Sequence, residues 1–233
     1  MRARPGRLLA RIKAWLTRPT GRILLGFFLV SLALWALLVL GGEMAEGETK
    51  AFDRWALLAL RNPANLNDPI GPRSLEEAMR DITALGGVTL LTLITIVSVV
   101  ALWRSSRRAE ATVFASVVLV AQVASEGLKI LYDRPRPTLV PHAAYVYSNS
   151  FPSGHSAMSA AVYIMLAVVL ASGLKTQASR TMVFGLAVLL VVLIGISRVY
   201  LGVHWPTDVL AGWALGCGMA FIGVIAMGRT AKV

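Results

Sequence analysis

The sequence predicts an all-α fold, a six-helix transmembrane bundle with short interfacial helices in its first outer loop. Three observations carry that prediction. The chain of 233 residues is 56% hydrophobic and only 15% charged, whereas a soluble domain carries about a quarter charged residues. Its apolar residues gather in blocks close to the roughly 20 residues that a helix needs to cross a bilayer. Lysine and arginine crowd alternate inter-block segments, the asymmetry that orients membrane spans.

Six apolar stretches run Ile23–Leu40, Ile82–Trp103, Ala111–Leu131, Ala157–Ser172, Met182–Ile196 and Val209–Met227. Lipid offers no partner to an open backbone, so each is expected as a helix, and the alternation of a membrane β-barrel is absent. A basic leader, residues 1–22, precedes the six-span domain at 23–228, and a short cytoplasmic tail follows at 229–233. The first stretch is expected to be a retained signal anchor, because Gly42-Glu43-Met44-Ala45-Glu46 makes a poor cleavage site.

The leader holds Arg2, Arg4, Arg7, Arg11, Lys13, Arg18 and Arg22 with no acid, which keeps that end in the cytoplasm. The segments carrying Arg104, Arg107 and Arg108, then Lys175 and Arg180, then Arg229 and Lys232 fall on the same side. The loop 41–81 is acid-rich instead, with Glu43, Glu46, Glu48, Asp53, Asp68, Glu76, Glu77 and Asp81. Both termini are thus expected in the cytoplasm of a multi-pass inner-membrane protein. Within that outer loop, Ala51–Leu60 reads either as a surface-lying helix or as a plain connector, ended by Pro63 and the Pro69–Pro72 region.

The formal charge of +11 does not indicate nucleic-acid binding, because the basic residues flank apolar blocks and form no continuous polar surface. Cys217 is the only cysteine, which excludes an intramolecular disulfide and a thiolate metal cluster. Its position between Gly216 and Gly218 suits small-residue packing. Gly212 and Gly216 form a small-xxx-small pair open to close helix approach, from this chain or a second copy. Oligomeric state is not readable.

Ionisable residues near membrane spans are costly and often functional. Here they concentrate in segments 129–137, 152–155 and 197–208, all at the outer ends of spans by the loop charges. In the first, the alternating prolines of Asp133-Arg134-Pro135-Arg136-Pro137 force an extended backbone. Lys129 and Arg136 can then approach one anion from different sides, or serve as a snorkelling belt. Glu126 lies one turn before Lys129 and can pair with it. In the second, Pro152-Ser153-Gly154-His155 opens the fourth span, where free amides and a helix dipole favour an anion. Ser153 can cap the helix or bind a phosphate oxygen, Gly154 permits close backbone approach, and His155 can protonate a leaving oxygen. A plain capped helix start with an interfacial histidine fits as well.

In the third segment His204 and Asp208 are four apart and share a face if the sixth helix starts near them. A carboxylate on one imidazole nitrogen fixes the tautomer and leaves the other lone pair free to attack. Arg198 supplies a planar fork for phosphate oxygens. A structural helix-start pair would explain His204 and Asp208 alone, but not Arg198 beside them.

Taken in order, Lys129 with Arg136-Pro137, Pro152-Ser153-Gly154-His155, and Ser197-Arg198 with His204 and Asp208 resemble the three motifs of the type 2 phosphatidic acid phosphatase superfamily, which shares its site with vanadium haloperoxidases. No defining position departs from the pattern. The resemblance implies His204 as nucleophile, Asp208 as its orienting partner and His155 as acid. It also implies a phosphate clamp of Lys129, Arg136, Ser153, Gly154 and Arg198.

The expected activity is metal-independent removal of phosphate from a lipid phosphate or diphosphate, with no cofactor, through a phosphohistidine. Undecaprenyl diphosphate and phosphatidylglycerol phosphate are candidate substrates. The alternatives are a lipid phosphotransferase using the same site, and a transporter or flippase, which would spread charges through the spans. His142 is expected to be a solvated loop residue.

Overall fold

A computed structural model describes residues 19–146 and 148–230. Most of the basic leader (residues 1–18) and the last positions of the tail (231–233) therefore lie outside the described residues. The described helices are α1 (Pro19–Glu46), α2 (Lys50–Leu58), α3 (Arg73–Ala84), α4 (Val88–Arg104), α5 (Arg108–Tyr132), α6 (Gly154–Gly173), α7 (Gln177–Tyr200) and α8 (Pro206–Thr230). A small antiparallel pair, β1 (Arg61–Asn62) and β2 (Asn65–Pro69), sits between α2 and α3.

Among the described residues, five helices (α1, α5, α6, α7 and α8) are long and apolar enough to cross a membrane, and α3 with α4, bent by 43°, is a candidate sixth span. The side chains facing outward from them include Phe27, Phe28, Trp35, Leu93, Ile96, Leu119 and Val123. Such an apolar exterior suits hydrocarbon and not water. The chain is a multi-pass integral membrane protein.

Helix α6 is the hub. In its apolar window 61% of residues are buried, against 11% for α1, which lies on the outside. Small residues on α6, including Ala157, Ala160 and Ala161, are fully buried and let α8 come close. An added Cβ at Gly212 would lie 2.6 Å from the Ser153 carbonyl, and one at Gly216 would strike the Ala157 carbonyl oxygen. The close neighbour of the Gly212–Gly216 pair is thus α6 of the same chain. Phe114, Val162, Met165, Ile194 and Ala220 fill the core around this contact. Cys217 is partly buried.

The structure corrects several expected boundaries. The stretch Ile82–Trp103 is not one helix. It breaks at Leu85-Gly86-Gly87, with Ile82 belonging to α3 and the run from Val88 to α4. Apolar composition runs through a glycine pair, so hydropathy alone does not mark the break. The Tyr163 hydroxyl donates to the Leu85 carbonyl at 2.8 Å and holds the break against α6. Helices α6 and α7 begin ahead of the fourth and fifth apolar stretches because polar residues cap them. Ser153 Oγ accepts from the Ser156 N–H at 3.4 Å and Thr176 Oγ1 from the Ser179 N–H at 3.1 Å. The β1–β2 pair satisfies backbone groups on either side of the Pro63 turn, which the sequence marks only as a break after the Ala51–Leu60 segment.

Candidate active site

Two chain reversals, α5 to α6 and α7 to α8, deliver the site to one end of the bundle. Helix α5 closes with Asp133 in the left-handed region at φ 43°, and Pro135 and Pro137 prevent its continuation. Helix α6 starts at Gly154, and α7 passes to α8 through Gly202 at φ 72°. At the far end Arg107 reaches across to Ser172 Oγ at 2.8 Å, so the turns rich in basic residues lie together there.

Lys129, Arg136, Gly154, His155, Arg198 and His204 line one cavity of about 260 Å³. The lining also includes the apolar Val88, Leu91, Val118 and Met158, from α4, α5 and α6. Asp208 and Ser153 stand directly behind the wall, fully buried, with the Ser153 N–H donating to the Asp208 carbonyl at 2.9 Å. Ser153 Oγ also accepts from the Ser156 hydroxyl at 3.0 Å, so it shapes the first turn of α6 from behind and is not part of the cavity surface.

His204 precedes α8 and does not lie on its face, because the helix begins at Pro206. The contact with Asp208 is made from loop to first turn, at 3.3 Å between Nδ1 and Oδ2. On the opposite side of the ring, Nε2 lies 3.1 Å from Nη1 of Arg136. A guanidinium can only donate, so Nε2 carries the lone pair and Nδ1 the proton. Burial pushes the imidazole pKa down to about 4, against the upward pull of Asp208 and with help from Arg198 and Arg136. The ring is neutral at physiological pH.

Asp208 is held from every direction. Oδ1 takes Nη1 of Arg134 at 2.5 Å, and Oδ2 takes the Trp205 N–H at 2.8 Å, the Ser150 hydroxyl and His204. Arg134 in turn bonds Asp53 of α2 at 2.6 Å. Asp53, Arg134, Ser150 and Thr207 form this backing network, and the sequence reading assigned none of them a role.

The cations of the cavity differ in how they are compensated. Lys129 Nζ pairs with Glu126 at 2.8 Å and donates to Ser148 Oγ at 3.2 Å. Among the described residues, Arg136 meets only the carbonyls of Ser148 (2.7 Å), Val203 (2.7 Å) and Asn149 (3.4 Å) besides His204. Burial lowers its pKa, countered by the field of Asp208. Arg198 is 3% exposed; it donates to Thr83 Oγ1 at 3.0 Å, and its buried Nε has no hydrogen-bond partner among the described residues. Among the described residues, three cations thus face Glu126 as the one carboxylate lining the cavity. Buried positive charge without a carboxylate partner is costly unless an anion binds it.

His155 stands in the first turn of α6, and none of the described residues hydrogen-bonds its ring. An added Cβ on Gly86 would lie 2.5 Å from the Ile194 side chain and in ordinary contact, at 3.4 Å, with His155, so it is Ile194 that leaves room only for glycine at the α3–α4 break. His142 lies outside the cavity and donates from Nε2 to the Pro137 carbonyl at 2.7 Å. Among the described residues, no group of three His, Cys, Asp or Glu side chains comes together that could hold a metal ion.

A pocket that combines guanidinium, ammonium, helix-end amides and two imidazoles has the chemistry of a phosphoryl-transfer site. Comparison with known proteins agrees. The profile of the PAP2 superfamily matches residues 110–231, and the chain belongs to that superfamily of membrane lipid phosphatases. It is 35% identical over 149 residues to phosphatidylglycerophosphatase B of Bacillus subtilis, covering 64% of this chain and 73% of that one. It is 30% identical over 138 residues to undecaprenyl-diphosphatase of Sulfolobus acidocaldarius, covering 56% of this chain and 61% of the relative.

The crystal structure of the transmembrane PAP2 type phosphatidylglycerolphosphate phosphatase from Bacillus subtilis superposes with a TM-score of 0.74 at 29% identity, covering 88% of this chain and 96% of that one. The structure of Aquifex aeolicus LpxE shares the fold, with a TM-score of 0.53 at 23% identity over 75% of this chain and 93% of that one.

Proposed function

We propose that this chain removes a phosphoryl group from a lipid phosphate or diphosphate at the outer face of the membrane, without a metal, through a phosphohistidine on His204. The observation that carries the reading is the composition of the cavity. Its lining combines His155, His204 and three cations with the apolar Val88, Leu91, Val118 and Met158. A molecule with a charged head and an apolar tail matches that mixed lining.

In the first step His204 Nε2 attacks phosphorus in line, forming the N–P bond as the bond to the leaving oxygen breaks, and His155 gives that oxygen a proton. In the second, water attacks the phosphohistidine, His155 takes the water's proton, and Nε2 is released with phosphate. Asp208 holds Nδ1–H throughout and stabilises the cationic imidazole of the intermediate. Arg136, Arg198 and Lys129 neutralise the equatorial oxygens, and Gly154 brings the first amides of α6 against them. Ser153 supports that turn from behind.

The outer location rests on charge. The basic turns at Arg104–Arg108 and Lys175 lie at the end of the bundle away from the cavity, and basic turns stay in the cytoplasm. The names of the relatives point to phosphatidylglycerol phosphate and undecaprenyl diphosphate as the first substrates to try.

The test is phosphate release by the purified chain from both lipids and from phosphatidic acid, with and without a chelator. Release that persists with chelator and a trapped phosphohistidine lost in His204→Ala are expected. Strict dependence on added Mg²⁺ would overturn the metal-free chemistry, and a phosphorylated acceptor in place of free phosphate would make the enzyme a phosphotransferase.

A further inference from the structure

The network behind the nucleophile extends to the interfacial helix α2, and the phosphoryl chemistry uses nothing at that end. Arg134 forks between two carboxylates. Its Nη1 lies 2.5 Å from Asp208 Oδ1 and its Nη2 lies 2.6 Å from Asp53 Oδ2. Thr207 knits the fork together. Its N–H donates to Asp53 Oδ1 at 2.9 Å, and its hydroxyl sits 2.8 Å from Arg134 Nη1 and 2.8 Å from Asp53 Oδ2. Exposure is 1% for Asp53, 8% for Arg134, 2% for Thr207 and 0% for Asp208. Neither Asp53 nor Arg134 lines the cavity.

An arginine facing a single carboxylate settles on both of its oxygens. Here that arrangement would draw Oδ2 of Asp208 away from His204 and leave Nδ1–H without its acceptor. Asp53 occupies the second guanidinium nitrogen and so limits Arg134 to Oδ1. We propose that Asp53 of α2, acting with Arg134 and Thr207, is a positioning residue that reserves one oxygen of Asp208 for His204. The proposal rests on the reading of His204 as nucleophile and Asp208 as its orienting partner. It makes the docking of α2 a condition of catalysis, whereas a clamp that only held the loop in place would affect stability alone.

The test compares Asp53→Asn and Thr207→Val with the unaltered chain and with His204→Ala. It measures kcat per folded molecule and KM on phosphatidylglycerol phosphate in mixed micelles, together with the inhibition constant of inorganic phosphate. Asp53→Asn is expected to lower kcat about tenfold to a hundredfold through misplacement of the imidazole. KM and phosphate inhibition should stay within about twofold, because the phosphate clamp is untouched. Thr207→Val keeps the charges and the side-chain shape, and a loss of about threefold to tenfold in kcat is expected from its missing hydrogen bonds. Should Asp53→Asn fail to fold, Thr207→Val decides alone.

Unchanged kcat in the folded variants overturns the proposal. So does a parallel loss of phosphate binding, which would mean general collapse of the site. Turnover surviving in His204→Ala sinks the underlying reading and this proposal with it. An inactive His204→Ala beside full kcat in the other variants sinks the proposal alone.

Discussion

Nε2 of His204 faces Nη1 of Arg136 at 3.1 Å, while Nδ1 of the same ring faces Asp208 at 3.3 Å. The imidazole is thus gripped by a donor on one side and an acceptor on the other, which selects one tautomer. Arg136 covers the attacking lone pair, and a phosphoryl group offers that arginine stronger, charged acceptors. Asp208→Asn removes the charge that holds the tautomer. It is expected to lower kcat by about 10³-fold to 10⁴-fold with little change in KM, measured by phosphate release.

The pH profile follows from His204, which lies between α7 and α8. Burial lowers its pKa to about 4 from an ordinary 6.5, with Asp208 opposing and Arg198 and Arg136 assisting. Its lone pair stays available as the pH falls below 6.5, and its contribution to kcat/KM is lost only near pH 4. Stability has the opposite exposure. The unfolded chain takes a proton on this residue below about 6.5 and the native one only near 4, so stability from this group is complete above 6.5 and falls between those values. A thermal melt series from pH 7 to pH 4 should show that decline, and its absence would place the imidazole in contact with water.

Arg198 is expected to trade stability for function. Among the described residues its buried guanidinium has Thr83 as its one hydrogen-bond partner, and Nε is unpaired. Arg198→Met removes an uncompensated buried charge and should leave the protein as stable or more so, by about 1 kcal/mol or more. The same variant should lose about a hundredfold or more in kcat/KM, because a transition-state charge contact is gone. Melting temperature and kinetics on one preparation check both halves.

The contact between α6 and α8 gives a purely structural prediction. Gly216→Ala would press a methyl group into the Ala157 carbonyl and is expected to cost about 1–3 kcal/mol. Gly185→Ala, where a Cβ meets nothing within 4 Å, should be neutral or stabilising by up to about 1 kcal/mol. Thermal unfolding in detergent separates the two.

The cavity residues were legible in the sequence because each belongs to a local cluster: a lysine with a proline-flanked arginine, a capped helix start, an arginine followed by a histidine and aspartate. Short-range spacing exposes such groups. The backing network was not legible. Asp53 meets Arg134 across 81 positions and Thr207 across 154, and no periodicity links residues that far apart. One signal was available, an acid on the apolar side of the amphipathic α2, but an isolated aspartate in an acid-rich loop does not stand out. Arg134 was overshadowed by Arg136, its neighbour two residues on. The α3–α4 break was missed because glycine is neutral on a hydropathy scale, although Gly86 and Gly87 mark it in hindsight.

The close backbone approach of Gly212 and Gly216 to the start of α6 has a mechanical consequence. His155 opens α6 and His204 sits immediately before α8, the helix pressed against it, so their separation is gauged by main-chain contact and not by the surrounding lipid. Changes in bilayer thickness or lateral pressure should therefore act on how substrates arrive from the membrane while leaving the pace of the chemical step nearly constant.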